Sequence, residues 1–348
     1  MGDRLATTNA GVSGTRPEHQ NERSAIARVA VIIPYFQKQS GILARAVRSV
    51  VRQTHPYVDV IIVDDQSPIP ASLELEEFSP EDCARIRIVD RANGGPAAAR
   101  NSGLDAVGCL TRYVAFLDSD DVWDPNHLAN ALAEMGQHGA ACYFGSIDGG
   151  EDFTYHVNVD SLAGRQDVSI VSGDPVILKT DNLTDLMLED WSYLHVSCMV
   201  IAGATAKTVR FVPALRHAAE DVLFFADCAL VSGCVLLDPR IAARRGDGVN
   251  IFHSVTSHDP AFAAQQFSTF LALKILGGRL DDRKPIHLAL SRRKEQARQL
   301  MLWGILRQIK SGRLAGLAIL AKWFGCDPAI SRTALRLAFS KTFKTTKS

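Results

Sequence analysis

Residues 28–34, RVAVIIP, form an unbroken apolar run rich in Val and Ile. A run with no polar alternation belongs to a strand buried on both faces, and such strands occur in parallel sheets covered by helices. The pattern then repeats. SGILARAVRSVVRQTHP (40–56) sets Ile42, Leu43, Ala46, Val47, Val50 and Val51 at helical spacing, with Ser40 as the predicted N-cap and Pro56 as the stop. YVDVIIVDD (57–65) reads as a second strand. ARIRIVD (84–90) alternates Arg with Ile and reads as a third, with one face exposed. GGPAAARNSGLDAV (94–107) is a glycine turn feeding a helix with Pro96 in its first turn, and RYVAFLD (112–118) is the fourth strand. Strand–helix–strand alternation with short connections implies a doubly wound α/β sheet. Ligands of such sheets bind beyond the carboxyl ends of the strands. PYF, VDDQS and DSDD stand at three of those ends.

The last of these raises an electrostatic question. Asp118, Asp120 and Asp121 fall within four positions after a buried strand. Two like charges about 4 Å apart repel by roughly 4 kcal/mol at a surface-like dielectric. A metal ion, a basic side chain or the open solvent of a turn must therefore accompany them.

Beyond residue 125 the alternation loosens. HLANALAEMGQHG is a predicted helix, AACYFGSID a strand, 149–190 a polar, loop-rich excursion, YLHVSCMVIAG a strand and AAEDVLFFADCALVSG a helix. From about 262 amphipathic helices dominate, which places a boundary near 255 between an α/β body (28–255) and a helical region (256–348). Residues 1–27 are polar, without the apolar core of a signal peptide, and read as a disordered leader. No run of 18 uncharged apolar residues is long enough to span a bilayer. Seven scattered cysteines without a CxxC pair argue for reduced thiols in a cytosol rather than a disulfide framework or zinc site. The formal net charge is zero, so nothing global points to nucleic acid. From Arg283 onward, however, fifteen Lys/Arg face two acids, Glu295 and Asp327, a surplus of +13. Such a tail suits an anionic surface or, equally, ordinary solvated helical faces.

VDDQS, NGGPAAARNSG and FLDSDD, in that order and spacing, resemble glycosyltransferase family 2 over roughly residues 29–254. The opening stretch and RRGDGVNIF (244–252) resemble in particular the bacterial exopolysaccharide glucosyltransferases of the succinoglycan type. The resemblance implies the GT-A fold: a Rossmann-like, mostly parallel sheet flanked by helices, here with a C-terminal helical extension. Residues 28–125 would be its nucleotide-binding half and 126–255 its acceptor-binding half. It implies an inverting transferase that uses a nucleotide-diphosphate sugar, UDP-glucose being the expected donor, with Mg²⁺ or Mn²⁺ on the diphosphate. The expected acceptor is a saccharide, lipid-linked, in exopolysaccharide synthesis.

By the same resemblance Asp120 ligates the metal and Asp118 contacts the ribose or the metal, with Asp121 in support. Asp65 accepts the uracil N–H beside Pro34 and Tyr35, and Asp64 stands next to it. Asn93 and Gly94 approach the diphosphate ahead of a helix N-terminus, and Arg100 reaches the nucleotide. Gln66 replaces the family's usual Gly, a departure expected to alter the turn. Taken alone, each of these acids also suits a turn or a helix cap. AAEDVLFF supplies Glu220 on the acceptor side and Asp221 as the general base that takes the acceptor's proton. Arg245, in a glycine-containing loop, would fold over the diphosphate, with His253 as a third metal ligand. Trp191, Tyr193 and His195 are candidates to line the acceptor site.

The tail combines basic residues with Trp303, Trp323 and Phe324, which would suit peripheral contact with the cytoplasmic face of an inner membrane. Two other readings stand beside the transferase. One is a non-catalytic sugar-nucleotide-binding subunit. The other is a haloacid-dehalogenase-like phosphatase using DSDDV, although that motif normally follows the first strand rather than the fourth.

Overall fold

A computed structural model describes residues 27–149, 157–246, 255–257, 259–280 and 284–345. Ten strands form one sheet: β1 (Val29–Tyr35), β2 (Val58–Asp64), β3 (Ile86–Asp90), β4 (Tyr113–Phe116), β5 (Val122–Trp123), β6 (Cys142–Asp148), β7 (Val168–Gly173), β8 (Val176–Thr180), β9 (Met199–Ala202) and β10 (Val235–Arg244). Their order is β3-β2-β1-β4-β9-β6-β10-β8-β7, with β5 paired on β10. The first half is parallel, β1 lying between β2 and β4. Val29, Ile32 and Ile33 are completely buried, as their unbroken apolar run requires. The Arg/Ile alternation of β3 is explained by its place at the sheet edge, where one side has no neighbour. β9 enters antiparallel between β4 and β6 and joins the two halves into one sheet.

Close helix packing brings the carboxyl ends of the first strands together. The helix Pro96–Asp105 lies directly against β1 at Gly103, where a Cβ would fall 2.4 Å from Ile32 Cγ2. Asp65 N–H donates to Tyr35 C=O and Arg91 N–H to Asp64 C=O, so the loops after β1, β2 and β3 are laced side by side.

Two local expectations are corrected. The excursion 149–190 is not merely loop: its described part carries the antiparallel hairpin β7–β8, which extends the sheet beyond β10, and the helix Leu183–Glu189. Its short strands, VSIVSG and VILKT, pair with each other and, through β8, with β10. The helix Ile42–Val51, in turn, is not capped by Ser40. Gly41 holds the N-cap position with φ +80°, and the cap is supplied from thirty residues away. Glu74, nearly buried, accepts from Gly41 N–H (2.8 Å) and Ala44 N–H (3.3 Å). A carboxylate at the positive end of a helix satisfies orphan donors and the macrodipole together.

The four C-terminal helices are Pro260–Gly277, Lys284–Lys310, Gly316–Cys326 and Ile330–Thr345. They belong to two packing groups. Ala272, Leu273, Leu276, Ile286 and Leu290 share one core with Phe116, Phe144 and Phe224 of the α/β body. Phe267, Phe270, Met301, Ile305 and Ile330 instead gather around the fully buried Trp323. The leader falls outside the described residues.

Replacing Glu74 with Ala should destabilise the fold by about 1–2 kcal/mol, since it leaves a helix N-terminus uncapped and two N–H groups unpaired. Thermal unfolding followed by circular dichroism checks this, and an unchanged melting temperature contradicts the cap.

Candidate active site

The DSDD loop leaves β4 at the carboxyl end of the sheet, where its charges meet an internal cation. Arg100, one turn into the helix that starts at Pro96, is 4% exposed. Its Nη2 donates to Asp118 Oδ1 (2.7 Å) and its Nη1 to Glu220 Oε1 (3.1 Å). The guanidinium lies 5.3 Å from the Phe211 ring centroid, and Phe211 in turn stacks on Phe224 at 3.7 Å. Arg100 therefore ties residues 118 and 220, a hundred positions apart, over an aromatic floor. Burial opposes its charge, but Asp118 and Glu220 hold it above the ordinary guanidinium value. Burial likewise works against the Asp118 charge, and Arg100 brings that carboxyl below its usual range. The sequence reading aimed Arg100 at a nucleotide; in the structure each Nη makes one bond within the chain.

One guanidinium does not balance what surrounds it. Asp118, Asp120, Asp121, Glu220 and Asp221 converge here. Burial, then Asp121 and Asp118, push Asp120 up to about 7. Burial and Asp118 push Asp121 up to about 7. Glu220 also stands at about 7, raised by burial and Asp221 against the pull of Arg100. Asp221 begins the helix Glu220–Ser232 and accepts from Val222 N–H (2.7 Å). The turn into this helix is tight, with Ala219 at φ +62°.

Ser197, a residue the sequence reading passed over, organises the other side. Its buried hydroxyl accepts from Asp118 N–H (3.1 Å) and donates to Asp121 Oδ2 (2.6 Å). Its carbonyl accepts from Trp123 Nε1–H (2.6 Å), and its N–H donates to His195 Nδ1 (3.2 Å). Asp118, Asp121 and His195 consequently offer ligand atoms that all lie within 4.8 Å of one another. Two hard carboxylate oxygens suit a divalent cation such as Mg²⁺ or Mn²⁺. His195 is the weaker donor, because a cation drawing on Nδ1 would compete with the Ser197 N–H. Burial keeps its imidazole below the ordinary value despite the acids around it. His195 was read from sequence as acceptor-lining, and its neighbourhood is the acidic loop instead. Asp120 stands next to this trio rather than within it. His253 lies outside the described residues.

Gly246 crosses the acidic loop so closely that a Cβ would fall 1.7 Å from Asp120 C=O, and its N–H reaches Asp121 Oδ1 at 3.4 Å. Arg245, its neighbour, donates its backbone N–H to Asp148 C=O, and its charge draws on Asp121. Gly246 is thus the position where this segment can pass over the acids at all.

On the β2 side, Asp64 accepts from Ser67 N–H (2.7 Å) and Ala71 N–H (2.8 Å) and so shapes its own loop. Asp65 accepts from Gly94 N–H (2.9 Å), Gly95 N–H (2.7 Å) and Arg91 Nη1 (2.6 Å). Gln66 stands where the family usually has Gly. It takes the left-handed conformation at φ +60°, and its Oε1 accepts from Asn93 N–H (3.3 Å). Asn93 also donates to Asp65 C=O and accepts from Arg216 Nη2 (2.9 Å), which brings an exposed cation to the glycine turn. An open cavity of about 420 Å³ lies here, lined by Asp64, Gln66, Ser67, Pro70, Asp90 and Arg91. Tyr35 is buried at the base of this lacing, next to Pro34. Neither Arg91 nor Arg216 was singled out from sequence, since an arginine beside a motif carries no spacing signal of its own.

Trp191 lines a small apolar cavity with Ala219 and Val222, the residues that flank Glu220 and Asp221. Tyr193 is buried in the main core. Trp191 has Arg293 of the helix Lys284–Lys310 over its ring at 4.7 Å, so that face is covered.

Comparison with known proteins agrees with this geometry. The profile of the family described as "Glycosyl transferase family 2" matches residues 30–194. The chain is 44% identical, over 91% of its length and 99% of the relative's, to the succinoglycan biosynthesis protein ExoW of Rhizobium meliloti (strain 1021). It is 30% identical, over 39% of its length and 49% of the relative's, to the Escherichia coli UDP-Glc:alpha-D-GlcNAc-diphosphoundecaprenol beta-1,3-glucosyltransferase WfgD. Among solved structures, the mannosyltransferase PcManGT of Pyrobaculum calidifontis, in complex with GDP-Man and Mn²⁺, superposes with a TM-score of 0.55 at 15% identity, covering 91% of this chain and 82% of that one. S. aureus TarS 1-349 in complex with UDP-GlcNAc does so with a TM-score of 0.51 at 17% identity, covering 81% and 73%. These two likenesses bear on the fold, which is that of GT-A enzymes.

Two outcomes follow from the charge imbalance and the strained turn. Asp120 protonates near 7 in the fold but near 4 when unfolded. Between these values the unfolded chain has lost a proton that the folded chain keeps. Stability should therefore fall as pH rises from about 4 to 7, and the penalty is complete above that. Asp120→Asn should stabilise the metal-free protein by on the order of 1 kcal/mol at pH 8 and by nothing near pH 4. Melting curves across pH decide it, and a benefit independent of pH contradicts the repulsion. Gln66→Gly should raise stability by up to about 1 kcal/mol by relieving the left-handed strain; destabilisation would mean that the Asn93 contact outweighs it.

Proposed function

Because the chain belongs to glycosyl transferase family 2, we propose that it is an inverting transferase that moves glucose from UDP-glucose to a lipid-linked saccharide in exopolysaccharide assembly. The observation that carries the reaction is the convergence of five carboxylates on one buried guanidinium at the carboxyl ends of the strands. The protein alone leaves that site short of positive charge, as a diphosphate-and-cation site must be before loading. Identity to ExoW over nearly the whole chain supports the exopolysaccharide setting. The activity for which WfgD is named supports a uridine nucleotide, glucose and a lipid-diphosphate acceptor.

In this reading the base and ribose lie over the cavity beside Asp65, flanked by Pro34 and Tyr35. Asn93, Gly94 and Arg216 face the diphosphate from the glycine turn, and Arg245 from the opposite side. Mg²⁺ or Mn²⁺, held by the carboxylates of the DSDD loop, would supply the charge that lets the diphosphate leave. Asp221 takes the proton of the attacking acceptor hydroxyl as the C1–O bond forms on the face opposite the departing diphosphate, which inverts the anomeric carbon. Glu220, held by Arg100, fixes the start of the helix so that Asp221 presents to the acceptor. Arg100 orients Asp118 by the same contact, which makes it a positioning residue.

The test is release of UDP from UDP-glucose with Mn²⁺ and a lipid-linked acceptor. Asp221→Asn should lower kcat by about 10²–10⁴-fold, the range for loss of a general base, while the donor KM stays within a few-fold. Equal turnover by both proteins overturns the base assignment. No stabilisation by any uridine diphosphate sugar with Mn²⁺ overturns the donor class.

A further inference from the structure

We propose that the outward side of the last helices is a docking face for an anionic lipid bilayer. This deepens the proposed function and rests on it only in linking that bilayer to a lipid-borne acceptor. Of the sixteen large apolar side chains that are exposed among the described residues, nine lie from Leu288 onward. Single exposed leucines need no explanation, but these are arranged. On the helix Gly316–Cys326, Leu317, Ala321 and Phe324, spaced i, i+4, i+7, face out, while Gly316 and Trp323 face in. On the helix Ile330–Thr345, Leu335 and Phe339 face out one turn apart, while Ile330 and Thr333 are buried. Leu306, Ile309 and Leu314 continue the apolar exposure at the preceding corner.

The charges around these residues have one sign. Arg307, Lys310, Lys322, Arg332 and Arg336 are exposed beside them. The two acids of the tail are withdrawn. Asp327 is 8% exposed and accepts from Arg298 Nε (2.6 Å) and Trp323 Nε1 (3.2 Å). Glu295 accepts from Arg298 Nη1 (3.1 Å) and Thr333 Oγ1 (2.8 Å). Arg298 thus gathers both carboxylates inward, away from the exposed cations of the outward face. Leu and Phe stripes edged by Lys and Arg are the composition of helices that lie in a bilayer interface, where anionic headgroups meet the cations. A second copy of the chain would set cations against cations, and no helix among the described residues is long and apolar enough to cross the membrane.

Flotation of the full chain with phosphatidylcholine vesicles, and with vesicles containing about a third phosphatidylglycerol, tests the proposal. Wild type should float with the anionic vesicles and far less with neutral ones. Leu335→Glu/Phe339→Glu should lower the bound fraction at least about tenfold, and Arg332→Gln/Arg336→Gln should abolish the preference for anionic lipid. Both variants should keep the wild-type melting temperature and the same UDP-glucose hydrolysis in solution. Failure of the docking face therefore leaves the transferase reading standing, and failure of hydrolysis leaves the docking face standing. Absence of wild-type binding to anionic vesicles overturns the proposal. So does a wild-type dimer that Leu335→Glu/Phe339→Glu converts to a monomer without any loss of flotation.

Discussion

The active-site end of this protein depends on one buried cation. Arg100 sits between Asp118 at the end of β4 and Glu220 at the start of a helix in the second half, with Phe211 and Phe224 beneath it. A buried guanidinium loses its hydration, and only well-placed carboxylates make that loss tolerable. Here the carboxylates come from both halves of the sheet, so satisfying the arginine also sets how those halves meet. Removing one partner of such a pair typically costs about 3–5 kcal/mol, because the remaining charge stays buried. The aromatic floor keeps water away and adds a cation–π contribution of about 1 kcal/mol.

The same arrangement leaves the chain with too many negative charges. Three carboxyls rest at about 7, halfway to neutral at physiological pH. A site designed only for stability would not gather Asp120, Asp121 and Glu220 in a buried crevice. Ser197 and Gly246 hold the acidic loop rigid despite this repulsion, the one through its hydroxyl and the other through its missing side chain. Left-handed backbone at Gln66 and Ala219 lies in the two turns that flank the crevice. Repulsion and strain of this kind are held in place by the packed sheet below, and they are what a ligand of opposite charge relieves on binding.

Much of the fold was legible in the chain because its signals are local. The Val/Ile runs of β1 and β2 must be buried on both sides, and helix-spaced Ala, Leu and Val between them must cover those faces. The exposed face of β3 was visible in its Arg/Ile alternation. The hairpin β7–β8 was not, because its short strands lie in a stretch of loop-like composition and gain their hydrogen bonds from β10 and from each other. The cap on the helix Ile42–Val51 was misread for a similar reason: Ser40 is near in sequence, but Glu74 is near in space.

By itself, then, the sequence determined the alternating strands and helices of the first half, the acidic loop tips and the family pattern they compose. Each of those follows from residue type and spacing within a short window. Only the tertiary structure decided which acid meets which cation. It paired Arg100 with Asp118 and Glu220, tied Asp121 to Ser197, drew His195 to the acids and turned the two acids of the tail inward. Those choices depend on distances between segments far apart along the chain, and an electrostatic interaction is set by distance and burial, neither of which a linear spacing encodes.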